Sequence, residues 1–243
     1  MDVETYARKY PHLVDDQIPP RLLAAYQRRK PRTCLDVGCG DGRLLHALER
    51  QGCLRNVIVH ALDASPLRIA RLSALHPDFD CIVGDACDLS PIADATIDLA
   101  ISTMVIEHVD DPLRMLAGLR RVLPEDGLLY LTTVFKRPGA WYFRKRNGES
   151  VLDPTHVREY TSESQLMGPL TQAGLIAETS VMTPLAFPIV DPLLRLTGVG
   201  RGRVLDGALW RAVRRPAVRI PGYWTWEIVA TKRPMESADE ATG

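Results

Sequence analysis

The chain has no unbroken apolar run close to the roughly 18 residues that a membrane-spanning helix needs, so a helical span is not expected. Cysteines are few and odd in number: Cys34, Cys39, Cys53, Cys81 and Cys87. None forms a Cys-x-x-Cys pair, so neither a disulfide framework nor a zinc site is indicated, and no metal is expected. Most of them read as small buried hydrophobes in a reducing compartment. Aromatic residues make up only 6% of the chain, which leaves little for stacking nucleic-acid bases. The opening Met1-Asp2-Val3-Glu4-Thr5 is too polar for a secretory signal, and a cytoplasmic location is expected. A net charge of zero hides an uneven spread. Acids dominate the first half and the tail from Glu236 to Glu240. Bases gather late, at Lys136, Arg137, Arg144, Lys145 and Arg146, then at Arg195, Arg201, Arg203, Arg211, Arg214, Arg215 and Arg219. Any one of these arginines is accounted for by a solvated face. As a set they suit an anionic substrate, or the surface from which it comes.

Against these absences stands a glycine-rich turn. Thr33 to Val37 read as a buried parallel strand, followed by Gly38-Cys39-Gly40-Asp41-Gly42. Leu44, Leu45, Ala47 and Leu48 then begin a helical apolar face. A strand that breaks into glycines and turns into a helix lets a ligand approach the backbone, because Gly38 and Gly40 permit positive φ and carry no Cβ. The dinucleotide fingerprint Gly-x-Gly-x-x-Gly is not met, since Arg43 stands where its third glycine should be. An acid, Asp36, lies two residues ahead of the first glycine.

Asp-Val-Gly-Cys-Gly-Asp-Gly, residues 36–42, resembles motif I of the class I S-adenosylmethionine (SAM) methyltransferases. Further segments agree in order. Val57 to Leu62 is a second apolar run ending at Asp63, a carboxylate placed to accept both hydroxyls of a ribose. Asp63, Ser65 and Pro66 also suit a helix start, and Ser65 can supply the cap while Asp63 binds. Cys81 to Ala86 gives a third strand ending in Asp85. Ile97 to Ser102 is a fourth, followed by Thr103-Met104-Val105-Ile106-Glu107-His108. Pro112 to Leu123 is a helix, and Leu128 to Val134 a fifth strand. Leu119 to Leu129 looks like the "LRRVLKPGG" passage of the same family. Strands alternating with helices argue for a parallel α/β sheet with ligands at the carboxyl ends of the strands. The resemblance is close over about residues 30–135 and looser to about 183.

It implies a Rossmann-like class I methyltransferase fold, α/β, with a seven-stranded and mostly parallel sheet, helices on both faces and a small cap. The expectation is one domain over residues 1–243, its core at about 30–183 and 223–233. Cap insertions are expected at about 136–160 and 184–222, together with helices between Tyr6 and Tyr26 that lie over the cofactor. The second insertion separates a sixth strand (about Leu175 to Met182) from a seventh (about Tyr223 to Thr231). Within it Val204, Leu205, Ala208, Leu209, Ala212 and Val213 form one helical stripe, with Arg203, Asp206, Arg211 and Arg214 opposite. Packing against the domain or a homodimer contact accounts for that stripe more simply than a lipid surface.

The implied cofactor is SAM. Its methionine end falls to Asp36, Gly38, Cys39 and Gly40, flanked by Ser102. The ribose falls to Asp63 beside Ala64, and the adenine to Asp85 and Ala86. Because the sulfonium methyl is already activated, the protein must chiefly align an acceptor. A base helps if the acceptor is a hydroxyl. His108, after the fourth strand, and His156, in the passage Asp153-Pro154-Thr155-His156-Val157-Arg158-Glu159-Tyr160 near the site's mouth, are the candidates. A helix-start residue and a lid-packing residue are the plainer readings of the two, and Glu107 and Tyr160 are weaker candidates. The leading reading is a methyltransferase acting on a small or lipid-linked hydroxylated acceptor such as a sugar or polyketide. An RNA methyltransferase and a non-catalytic SAM-binding subunit are the alternatives. No Asn/Asp-Pro-Pro-Tyr motif follows the fourth strand, which weighs against nucleic acid.

Overall fold

The apolar runs become strands stacked in one sheet. The computed structural model describes residues 3–10, 14–196 and 207–233, without the side chains of 195 and 196. In chain order the elements are α1 (Val3–Lys9), α2 (Pro20–Arg29), β1 (Thr33–Val37), α3 (Arg43–Arg50), β2 (Ile58–Asp63), α4 (Pro66–Leu75), β3 (Asp80–Val83), β4 (Leu99–Thr103), α5 (Pro112–Val122) and β5 (Leu128–Lys136). There follow the short β6 (Lys145–Arg146) and β7 (Glu149–Ser150), then α6 (Ser164–Gln172), β8 (Leu175–Pro188), α7 (Asp191–Leu196), α8 (Ala208–Arg214) and β9 (Ala217–Lys232). The main sheet has seven strands in the order β3-β2-β1-β4-β5-β9-β8. β9 pairs antiparallel with both β5 and β8, and the other pairs of this sheet are parallel.

Strand alternation sorts the core into two layers. Leu35 and Val37 face α5 and α6, packing with Leu116, Leu119, Leu166 and Leu170. Cys34 faces the other way, toward Leu22 of α2, Leu45 and Leu48 of α3, and Leu72 of α4. Central parallel strands are covered on both faces, which is why they read as continuous apolar runs. Strand order reverses between β1 and β4, and the crevice at their carboxyl ends is where an open α/β sheet receives ligands.

The far edge of the sheet departs from expectation. β8 runs on to Pro188 and β9 starts at Ala217, so Ala186, Phe187 and Pro188 pair with Arg219, Val218 and Ala217. The two ends of the segment expected as an insertion therefore extend the hairpin beyond the sheet. Pro184 interrupts less than its sequence position suggests, because β8 is an edge strand with a bulge between Pro184 and Ala186, where proline is tolerated. α8 does not pack its apolar stripe against the domain, the first of the two contacts expected for it. Its Leu209 is 73% exposed, while Arg211 pairs with Asp16, and Arg214 with Asp15 and Asp191. Acids from distant parts of the chain draw in the basic face, so the apolar stripe turns outward. Val204 and Leu205 lie outside the described residues.

Candidate active site

The turn after β1 is built by close backbone packing. Gly38 and Cys39 both donate N–H bonds to the Leu62 carbonyl, at 2.7 and 3.0 Å. Gly38 has φ +74°, and a Cβ there would sit 2.2 Å from Val105 Cγ2. Both conditions require glycine. Gly42 packs as tightly: a Cβ on it would fall 2.2 Å from Leu72 Cδ1. It thus lets the start of α3 approach Leu72 of α4 closely.

Carboxylates ring this turn. Asp63, at the end of β2, accepts N–H bonds from Gly40 and Ser65, both at 2.9 Å. The cap of α4 is Ser65, whose hydroxyl accepts the Arg68 N–H. Ala64, between them, is exposed. Asp36 is buried at the end of β1, and burial first, then the charge of Asp63, push its carboxyl up to about 7. Its Oδ1 and the hydroxyl of Ser102 are buried without a hydrogen-bond partner. Two such atoms on neighbouring strands, at the reversal point of the sheet, fit a site made for a polar ligand. Cys39 is buried, with its thiol directed to the Gly40 carbonyl and pushed up in pKa by burial. Asp85 lies exposed past the end of β3, its carboxylate accepting the Cys87 N–H, with Ala86 buried beside it.

The turn after β4 links this loop to a second cluster. Met104 takes φ +55°, an uncommon conformation for a side-chain-bearing residue and one that gathers at functional sites. Val105 covers Gly38, and its carbonyl accepts the His108 N–H at 2.8 Å. The passage 155–158 is bound to the same turn: Val157 N–H reaches the Glu107 carbonyl, and the Arg158 guanidinium reaches the carbonyls of Ile106, Val109 and Asp110. His108 and His156 consequently meet edge to face, with ring centroids 4.8 Å apart.

Hydrogen bonds fix the state of His108. The Thr155 hydroxyl donates to Asp153 Oδ1 at 2.6 Å, so its oxygen can only accept from His108 Nδ1, 3.1 Å away. The proton therefore resides on Nδ1, and Nε2 keeps its lone pair. Burial, then the charge of His156, push His108 down to about 4. Burial alone would raise Asp153, but bonds from Thr155 and from the Tyr6 hydroxyl (2.6 Å) outweigh it and hold the carboxyl below its ordinary range. His156 is buried and donates from Nδ1 to Glu159 at 3.2 Å. Glu107 is fully buried, its pKa raised by burial. Its Oε2 accepts from Thr133 and its Oε1 has no partner. Glu107, His108 and His156 bring one ligand-type atom each within 4.8 Å of one another, a group able to pass a proton or to hold a cation.

Sequence reasoning placed Thr155 and Arg158 near the site's mouth without a role for either, and it missed Thr133. The Tyr6 hydroxyl bonds Asp153. Also missed was the β6–β7 hairpin, although its Asn147-Gly148 turn, with φ of 52° and 84°, is the standard dipeptide signal for one.

Residues 35–131 match the methyltransferase domain family. The chain is 26% identical over 240 residues to the probable S-adenosylmethionine-dependent methyltransferase Rv3030 of Mycobacterium tuberculosis, covering 98% of this chain and 77% of the relative. It is 30% identical over 193 residues to the malonyl-[acyl-carrier protein] O-methyltransferase of Hahella chejuensis, covering 76% of this chain and 66% of that one. Among solved structures, YcgJ of Bacillus subtilis shares the fold at a TM-score of 0.61 and 17% identity, over 88% of this chain and 98% of that one.

Proposed function

Since the chain belongs to the class I SAM-dependent methyltransferases, with SAM as its cofactor, we propose that it methylates a hydroxyl of a small or lipid-linked acceptor and that His108 takes the hydroxyl proton. SAM supplies an activated methyl group. The residues around the glycine turn suit it. Asp36, Gly38, Cys39, Gly40 and Ser102 hold the methionine end, Asp63 and Ala64 the ribose, and Asp85 and Ala86 the adenine. Asp36 and Ser102 offer the unpartnered polar atoms that its amine and carboxylate need.

The observation that carries the hydroxyl reading is the chain Tyr6–Asp153–Thr155–His108. It holds the imidazole neutral, oriented and with Nε2 open, which is the equipment of a general base. His108 is the less buried of the two histidines and so the one that meets the acceptor. His156, fixed by Glu159, packs edge to face beside it. The cap segments 136–160 and 184–222 select the acceptor. An O-methyltransferase among the relatives supports oxygen as the atom methylated.

The test is release of S-adenosylhomocysteine with a panel of phenolic, sugar and quinol acceptors. Replacing His108 with Ala should lower kcat by about 10²–10⁴-fold while SAM affinity holds. Full turnover in that variant removes His108 as base, and SAM binding without turnover on any acceptor favours the silent-subunit alternative.

A further inference from the structure

We propose that Glu107, His108 and His156 form a binding site for one divalent transition-metal ion, held by a carboxylate oxygen and two imidazole nitrogens. Ligand-type atoms of the three lie within 4.8 Å of one another. They come from two segments, the turn after β4 and the passage 155–158. Backbone and guanidinium bonds from Val157 and Arg158 tie the second segment to the first. The spacing of the cysteines gives no sign of such a site, because its ligands are histidines and a carboxylate brought together only by the fold.

Each of the three is held at one atom and free at the other. Glu107 Oε2 accepts the Thr133 hydroxyl at 2.9 Å, while Oε1 is buried with no partner. His108 Nδ1 donates to the Thr155 hydroxyl oxygen at 3.1 Å, and that hydroxyl's own proton goes to Asp153. His156 Nδ1 donates to Glu159 Oε1 at 3.2 Å, an oxygen that also accepts the Leu152 N–H at 2.8 Å. Among the described residues no hydrogen bond takes Nε2 of either ring, and Glu107 bonds neither of them. Metal-ligating histidines are oriented in this way: one ring nitrogen donates to a carboxylate or other acceptor and the second keeps its lone pair. A fully buried carboxylate oxygen with nothing to bond is a group that calls for an explanation, and a cation supplies it.

The donor set selects the ion. Two imidazoles and one carboxylate suit Zn²⁺, Fe²⁺, Co²⁺ and Ni²⁺, whereas Mg²⁺ and Ca²⁺ take oxygen ligands. A tetrahedral ion with bonds of about 2.0–2.1 Å holds its donors about 3.3 Å apart. The widest separation in the group therefore closes by about 1.5 Å when the ion enters, past His108, the partly exposed member. Three protein ligands leave a further position open. An ion on His108 Nε2 takes the lone pair that the acceptor's proton needs, so loading blocks the base. That consequence rests on the hydroxyl-transfer reading above; the site itself does not.

The experiment titrates the full chain, freed of metal with a chelator and without acceptor, with Co²⁺ and Zn²⁺. Co²⁺ should give the visible bands of nitrogen and oxygen ligation at one equivalent. Zn²⁺ should displace it, and Mg²⁺ in excess should not. Thr155→Val, which removes only the support of His108, should lower Zn²⁺ affinity by about ten- to a hundred-fold, and Glu107→Gln and His156→Ala should each lower it further. His46 and His76 meet elsewhere in the chain, their ring nitrogens 3.1 Å apart, and His76→Ala should leave the affinity unchanged. Unaltered SAM affinity in each variant shows an intact fold. Protein that binds SAM but neither Co²⁺ nor Zn²⁺ overturns the proposal. Binding that survives Glu107→Gln and His156→Ala, or that is lost with His76→Ala, places the ion elsewhere and also overturns it. Equal competition by Mg²⁺ does the same for the class of ion. Binding is read without turnover, so failure of the hydroxyl-transfer reading leaves this result standing, and the reverse.

Discussion

Acid should expose the state of His108. Its folded pKa is about 4, pushed down first by burial and then by the charge of His156, against about 6.5 for a free histidine. Between these values the unfolded chain binds a proton that the folded one refuses, so stability rises with pH across that window. The contribution is complete above about pH 6.5 and is lost as the pH falls toward 4. At about 1.36 kcal/mol per pKa unit it amounts to about 3 kcal/mol. Replacing His108 with Gln keeps a donor toward Thr155 but removes the titration. Urea unfolding at about pH 7.5 and about pH 4.5 should show the parent protein losing about 2–3 kcal/mol more than the variant. Groups that do not interact with His108 titrate in both proteins and cancel in the difference. The acid limb of kcat/KM, which reports the free enzyme's base, should fall between about pH 4 and 5. A pH-independent stability difference would refute the buried, neutral His108. A limb between about pH 6 and 7 would move the base to another group.

Three further outcomes follow from the cofactor half. Asp63→Ala should weaken SAM binding by about ten- to a hundred-fold, the worth of charge-assisted bonds to two hydroxyls. Calorimetric titration that finds parent affinity in a folded variant would remove Asp63 from the ribose. Asp36 titrates in the opposite sense to His108: its carboxyl is raised to about 7 by burial and by Asp63, so the folded state holds a proton that the unfolded one has lost. That contribution is full below about pH 3.9 and disappears as the pH rises to 7. Asp36→Asn should therefore be the more stable protein above neutrality, by as much as about 4 kcal/mol, with weakened SAM binding; a variant less stable at high pH than at low, relative to the parent, contradicts the assignment. Gly38→Ala should cost about 1–2 kcal/mol for its backbone and about 1–3 kcal/mol for overlap with Val105. Adding Val105→Ala should restore the second part only, measured as the denaturation midpoint, and full restoration would mean that φ at residue 38 carries no strain.

What the sequence disclosed depended on how local each signal was. β1, the glycine turn and the acids after β2 and β3 are short-range patterns: an apolar run, a break, a carboxylate. Their positions in the fold match because parallel strands force such residues to the same edge. Gly42 was passed over because its demand comes from Leu72, thirty residues away and visible only in three dimensions. The length of the β8–β9 hairpin was hidden by Pro184 and Pro188, which read as strand breakers until β8 is known to be an edge. The outward turn of α8 has a clearer reason. Binary patterning assumes that the apolar stripe faces in, and three carboxylates supplied by residues 15, 16 and 191 reverse it.

α1 explains why the two halves of the site should act together. Glu4 accepts the Ser65 hydroxyl at 2.5 Å and lies against the N-terminus of α4, where a carboxylate is favoured by the helix dipole. Two residues later Tyr6 donates to Asp153, the far end of the chain that orients His108. A seven-residue helix thus touches the segment next to Asp63 and the segment that sets the base. So short a helix is marginal alone and stays formed through its packing partners. Displacing α1 would therefore break the bond at Ser65 and the bond at Asp153 together, so a change at one end of the helix should be felt by Thr155 and His108 at the other.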